Sequence, residues 1–342
     1  MNRFTATLAV SAVSVALAAC ADTSSKVAGP SDLQIQSNVS ELADGPGSIG
    51  RHIMLTRAGY ANAASQNAGG GGGGGTGIFY HGGPVLKSGT NVVAVYWASA
   101  TIYNSGPTPG TTGTGTQDGS LIGHFLRNLG GSPYFGINST YTDGSGAKIA
   151  NVVNYNGFWA NNTNAPGGTT SISDAQMVAM LQSGFDGGKL TYDPSTLYTI
   201  FSSGKVNLGG GFASGSLQYC AYHTHGTVTI NGVAKTVLYA AMPYDYSFPG
   251  SCTNNTASPN LDPGADAEVN TLAHEIEETT TDMMGTAWFD RRGYENADKC
   301  AWTWGTTYTN ANGGLANMNL GGKDFLVQRN WKNSGSGGCF LS

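Results

Sequence analysis

Apolar and polar positions change character twice along the chain. From Leu8 to Ala19 small apolar side chains run almost unbroken, over a length too short to cross a bilayer as a helix. From Ala21 to Gly77 there is no sustained period, and the stretch closes on an uninterrupted run, Gly69 to Gly75. Polyglycine loses a large conformational entropy when it is fixed, so residues 21–77 read as a disordered tether. Within it, Arg51 to Tyr60 reads either as a short amphipathic piece or as the remnant of a pro-segment. Beyond Gly77 the pattern becomes that of a folded domain. The β-branched and aromatic run Asn91–Trp97 predicts a buried strand. Leu121, Phe125 and Leu129 share one face of a helix, and Ile149–Tyr155 reads as a second strand. Ser173 and Asp174 suit the cap of a helix over Ala175–Leu181. Strands follow at Leu197–Phe201, Gln218–His223, Thr227–Ile230 and Thr236–Ala241, with a turn at Asn231-Gly232. A long helix is expected from Ala265 to about Met284, and a last strand at Phe325–Gln328. Strand, helix, strand, helix, strand, hairpin and long helix describe an α+β arrangement, a mixed β-sheet with packed helices. No internal repeat and no second linker appears, so residues 78–342 are expected to form one domain.

The apolar run at the N-terminus follows Arg3 and ends in Leu17-Ala18-Ala19-Cys20, which resembles a bacterial lipobox. Residues 1–20 are therefore expected to be a signal peptide, with Cys20 lipidated after cleavage. The protein would be exported and held at the cell envelope, or secreted, touching a membrane only through that lipid. Composition agrees with export. Charged residues make up 11% of the chain, against roughly 25% in ordinary soluble domains. The net charge of −5 and the absence of a basic run exclude a nucleic-acid binder, which needs clustered Lys and Arg. Without Cys20, four cysteines remain, an even number in an exported chain. Of the three pairings, the most local is Cys220–Cys252 with Cys300–Cys339, and it is the one expected here.

The chemistry concentrates in Leu272-Ala273-His274-Glu275-Ile276-Glu277-Glu278. His274 and Glu278, four apart, share a helix face, and Glu275 reaches the same region from the next rotation. The spacing matches the HExxH zinc helix with Glu278 in place of the second His. A downstream Glu295, seventeen positions after Glu278, resembles the third ligand of a gluzincin site. His274, Glu278 and Glu295 are thus the expected metal ligands and Glu275 the general base, with Asp298 a supporting group hydrogen-bonded to His274. The expected fold is accordingly zincin-like, with one long helix carrying HExxE and disulfides bracing the domain. Zinc is the expected ion, and so acid-rich a set also accepts calcium or manganese. His223, in Cys220-Ala221-Tyr222-His223-Thr224-His225, ends a strand and is a candidate to contact substrate, stabilise an oxyanion or ligate metal, against a bland reading as a hydrogen-bonded core histidine. Trp302 and Trp304, two apart, form a stacking platform if they lie on a strand. No nucleophile elbow or Walker loop is present.

Six blocks in order resemble the EXORDIUM (phosphate-induced protein) family, known mainly from plants and also present in bacteria. They are Tyr80–Val85, Cys220–His223, Ala273–Glu278, Ala287-Trp288, Glu295–Cys300 and Phe325–Gln328. The resemblance spans the domain after the Gly run and none of the tether. It implies export and a degenerate zincin-type motif at His274–Glu278. Two functions follow as expectations. One is a metal-dependent peptidase or hydrolase acting on peptide, protein or cell-wall material. The alternative is a non-catalytic extracellular domain that binds a cell-wall glycan or a surface partner.

Overall fold

A computed structural model describes residues 51–68, 77–209 and 219–342. The signal run, Cys20 and the Gly run all lie outside these described residues.

A seven-stranded mixed sheet forms the centre. Its strands are β1 (His52–Leu55), β2 (Thr90–Trp97), β3 (Thr112–Thr114), β4 (Val153–Asn161), β5 (Thr196–Phe201), β6 (Tyr219–Ile230) and β7 (Val233–Met242). In space they run β1-β6-β7-β5-β2-β4-β3. The four middle strands β7, β5, β2 and β4 are parallel, and antiparallel pairs complete the sheet at both edges. Helix α1 (Arg57–Ala68) follows β1, α2 (Leu121–Leu129) joins β2 to β4, α3 (Asp174–Asp186) joins β4 to β5, and α4 (Pro263–Thr281) follows β7.

Parallel strands buried on both faces are apolar at successive positions. In β2, Val92, Ala94 and Tyr96 pack with α2 and α4, whereas Val95 and Trp97 pack with α3. Ser120 caps α2 through Gly123 N, and Ser173 with Gln176 forms a capping box on α3. The β6–β7 turn places Asn231 and Gly232 at φ 52° and 77°, the left-handed pair that a tight hairpin demands. Both expected disulfides are present, Cys220–Cys252 and Cys300–Cys339.

Several boundaries move. The expected strand at 149–155 lies at Val153–Asn161, and the two segments flanking residue 225 are one continuous β6. Of the expected last strand only Phe325 is in a strand, Lys323–Phe325, and Leu326–Gln328 is irregular; Asn330–Lys332 then pairs with Gly338–Phe340. The tether expected over 21–77 requires a correction. Within it, His52–Leu55 pairs antiparallel with β6, His52 opposite His223 and Met54 opposite Ala221, and Arg57–Ala68 is helical. Thr56 accepts from Gly59 N and caps that helix. Met54 is fully buried, so this short strand gains both a ladder and a core position.

Every residue of α4 from Gly264 to Thr281 is buried. A fully buried helix is normally apolar all round. This one carries Asp266, Glu268, Glu275, Glu277 and Glu278 and no Lys or Arg. Its acids therefore do not form a solvated face.

Candidate metal centre

Three elements deliver the site. Helix α4 begins at Pro263 behind the Asp262 cap and runs across β6 and β1, which brings His274, Glu275 and Glu278 against the sheet. Strand alternation puts His223 on the α4 side of β6, while its neighbour Tyr222 packs with α3. After the helix, Asp282 Oδ1 accepts from Thr286 N and Ala287 N and turns the chain. The returning loop 295–300 is fixed by Asn296 Nδ2 on Glu277 O, by Gln328 Nε2 on Ala297 O and by the Cys300–Cys339 bond.

The outcome is an alternating string of imidazoles and carboxylates. Glu295 Oε2 lies 2.6 Å from His52 Nδ1 and 3.2 Å from His223 Nε2. His223 Nε2 lies 3.6 Å from Glu278 Oε2. Glu278 Oε1 lies 3.0 Å from His274 Nε2, which in turn is 3.6 Å from Asp298 Oδ1. Tyr60 OH donates to Asp298 Oδ1, and Asp298 N donates to Glu278 Oε1. His52 and His223 stack at 4.9 Å. The string is buried at Glu295, His223, Glu278 and His274, and meets solvent at the side chains of His52 and Asp298, 22% and 10% exposed.

The charges are strongly interdependent. Burial works against a charged His274, but Glu278, with Glu275 and Asp298, holds its pKa up at about 10. His223 is raised for the same kind of reason, with Glu295 outweighing burial. Burial pushes Glu275 well above the carboxylate range, partly offset by His274, and pushes Asp298 up with help from Glu278. Glu278 is held low, because His274 and His223 outweigh its own desolvation. Any cation entering here would displace protons from the imidazoles.

Two observations show that this donor set fits a divalent cation. Ligand atoms roughly 2.0–2.2 Å from a tetrahedral ion stand about 3.4 Å from one another. The 3.0, 3.2, 3.6 and 3.6 Å contacts bracket that spacing. The hydrogen bonding is also incomplete. Glu275 Oε1 and Oε2, Glu278 Oε2, Glu295 Oε1 and His274 Nε2 are buried and have no hydrogen-bond partner among the described residues. His274 Nε2 lies 3.0 Å from Glu278 Oε1 without the alignment of a hydrogen bond, while that oxygen accepts from Asp298 N.

The expected ligands are brought to one region but grouped differently. His274 and Glu278 sit with Asp298, whereas Glu295 sits with His52 and His223; within each group the donor atoms lie within 4.8 Å of one another. Glu275 groups with His223 and Glu278. Asp298 is thus at ligand distance from His274 and not only behind it. Sequence reasoning passed over His52 and Tyr60 because they lie before the Gly run. The signal that marks them is local: the apolar Ile53-Met54-Leu55 followed by Thr56 as a helix cap. A further cluster, Cys220, Asp245 and Cys252, is closed to metal by the disulfide. Glu277 points away from the string and accepts from Asn330 Nδ2 at 2.6 Å. Trp302 and Trp304 lie outside any strand; Trp302 has φ 57°, meets Trp304 edge-on, and donates to Leu55 O. That geometry is packing against the Cys220–Cys252 region and not a flat platform.

Family models, curated proteins and solved structures each return no match to this chain. Among the described residues no helix is long and apolar enough to cross a membrane.

Proposed function

We propose that the domain is a metal-dependent hydrolase of exported, zincin-like type acting on peptide bonds, with zinc as the ion. The observation that carries this reading is the cluster of His274 Nε2, Glu278 Oε1 and Asp298 Oδ1 at ligand spacing, beside the buried, unpartnered oxygens of Glu275. His274, Glu278 and Asp298 would hold the cation. A divalent ion at this position supplies Lewis acidity and makes a water molecule acidic near neutral pH.

The remaining work falls to the chain's own groups. Glu275, adjacent to the ligand His274 and with both oxygens unpartnered, takes a proton from the attacking water and passes it to the leaving amine. His223, buried between Glu278 and Glu295, lines the same side of the site as Glu275 and holds the two carboxylates in place. Val269, Leu272 and Ile276, on the apolar side of α4, pack into the core and hold the helix in place. Substrate approaches from the side of His52 and Asp298, where the string meets solvent. Export, anchoring at Cys20 and the EXORDIUM resemblance belong to the same proposal, supported by the N-terminal pattern and the six ordered blocks.

The test joins elemental analysis of the full chain to turnover of a fluorogenic peptide library. Metal should be present in the wild type and retained in Glu275→Gln, while turnover in that variant falls by roughly 10²-fold or more. A metal-loaded Glu275→Gln variant with wild-type turnover would overturn the mechanism.

A further inference from the structure

We propose that the centre binds two divalent cations, with Glu278 bridging them and His52, His223 and Glu295 forming the second position. This rests on the reading of His274, Glu278 and Asp298 as the first position.

The argument begins with the two oxygens of Glu278. Oε1 faces His274, and the neighbouring Asp298 Oδ1 stands 3.6 Å from the same ring nitrogen. Oε2 faces the other way, 3.6 Å from His223 Nε2, too far for a hydrogen bond and close to the edge of a coordination sphere. One carboxylate therefore presents an oxygen to each of two histidine groups. That is the arrangement of a carboxylate-bridged pair of ions, which typically stand roughly 3.5–4 Å apart.

The second group is as complete as the first. His52 Nδ1, His223 Nε2 and Glu295 Oε2 converge within 4.8 Å of one another. His223 and Glu295 are buried, and Glu295 Oε1 has no partner among the described residues. The 2.6 Å contact between His52 and Glu295 is a hydrogen-bond length, shorter than a ligand edge by most of 1 Å. Loading requires His52 to withdraw by that much. Its ring is 22% exposed and sits on a four-residue edge strand, so it is the member of the group best able to move.

Charge points the same way. Glu275, Glu278, Glu295 and Asp298 gather four carboxyl groups around three imidazoles. Entering ions would first displace the protons that burial favours on Glu275 and Asp298; with all four acids then ionised and the imidazoles neutral, one divalent ion leaves two charges uncompensated and two ions balance them. The alternative is a closed network in which protonated imidazoles neutralise the acids and no ion enters.

The experiment loads the full chain with Mn2+ or Zn2+, removes free ion and measures metal per chain by elemental analysis. The expected result is about two ions per wild-type chain and about one for His52→Ala, with the folded state of each checked by circular dichroism. Mn2+-loaded wild type should show exchange-coupled paramagnetic resonance, a readout that needs no variant. One ion per wild-type chain, uncoupled and unchanged by His52→Ala, would overturn the second position and leave the hydrolase reading standing. No bound ion in the wild type would overturn both and identify the string as a network of ion pairs.

Discussion

Tyr222 and His223 are neighbours on β6, and Arg51 immediately precedes His52, the first residue of β1, yet each pair divides between two carboxylate systems on opposite faces of the sheet, one half-buried and one buried. On the α3 face, Arg51 Nε donates to Asp174 Oδ2 at 2.8 Å. Tyr222 OH and Tyr239 OH both donate to Asp174 Oδ1 at 2.7 Å. Asp174 also occupies the first turn of α3, where the helix field favours an anion. Both of its oxygens are satisfied. On the α4 face, four carboxyl groups share three imidazoles, and at least one oxygen of Glu275, Glu278 and Glu295 has no partner among the described residues. Open oxygens also occur on buried acids elsewhere, at Asp245, Glu268, Glu277 and Asp282; what sets the string apart is that its open atoms lie beside imidazole nitrogens at ligand spacing.

The largest effect expected from breaking this contrast is on the satisfied side. Asp174→Ala leaves two tyrosine hydroxyls without their acceptor and Arg51 with Gly209 O alone, and should cost about 3–4 kcal/mol of stability. Chemical denaturation measures it, and the metal content of the folded variant should not change. A loss below roughly 1 kcal/mol would mean that the Asp174 system is no more structural than a surface pair.

Intermediate in size is a pH effect further along α4. Glu268 and Asp245 form a buried acid pair, with Asp245 N donating to Glu268 Oε2 and Thr271 Oγ1 donating to Asp245 Oδ2. Burial pushes Glu268 up to about 8, against 4.5 for an ordinary glutamate. The folded state then holds a proton that the unfolded chain releases. This stabilisation is complete below about 4.5 and is lost as pH rises through about 8. Between pH of about 5.5 and about 8.5 the wild type should lose roughly 3 kcal/mol more than Glu268→Gln, whose side chain cannot ionise. Parallel stability–pH curves for the two proteins would show that Glu268 is charged in the folded state.

Which of these systems could be read from sequence follows from how local each one is. The cysteine pairing was legible because an even count and short separations left one most local choice, and α2 because Leu121, Phe125 and Leu129 keep strict helical spacing. His274 and Glu278 were legible for the same reason, since i and i+4 on a helix need no tertiary knowledge. The grouping of Asp298 with His274, and of Glu295 with His223, was not, because it depends on how Asp282 and the Cys300–Cys339 bond turn a loop back beneath the helix. Arg51 and His52 carried only a short local signal, Ile53-Met54-Leu55 before the Thr56 cap. A four-residue strand beside a Gly-rich stretch has no period of its own and exists only because β6 offers an unpaired edge.

Glu277 sharpens the comparison most finely, with the smallest expected effect. It lies between the ligand-spaced residues His274 and Glu278, so by sequence it belongs to the same acidic run, but it faces Asn330 and is buried away from the string. Burial pushes it well above the usual carboxylate range, with Asn138 and Asn330 only partly offsetting that, so its surroundings favour the neutral form. A neutral carboxyl and an amide have nearly the same shape, and Gln keeps an oxygen to accept from Asn330. Glu277→Gln should therefore change stability by less than about 1 kcal/mol and leave bound metal unaltered. Glu278→Gln, one residue away, exchanges a carboxylate that His274 and His223 hold ionised for a weaker ligand, and should lower the metal bound per chain. If the two variants behaved alike, the separation between the acids that face the imidazoles and the other buried acids of α4 would collapse, and with it the reason for reading the former as ligands.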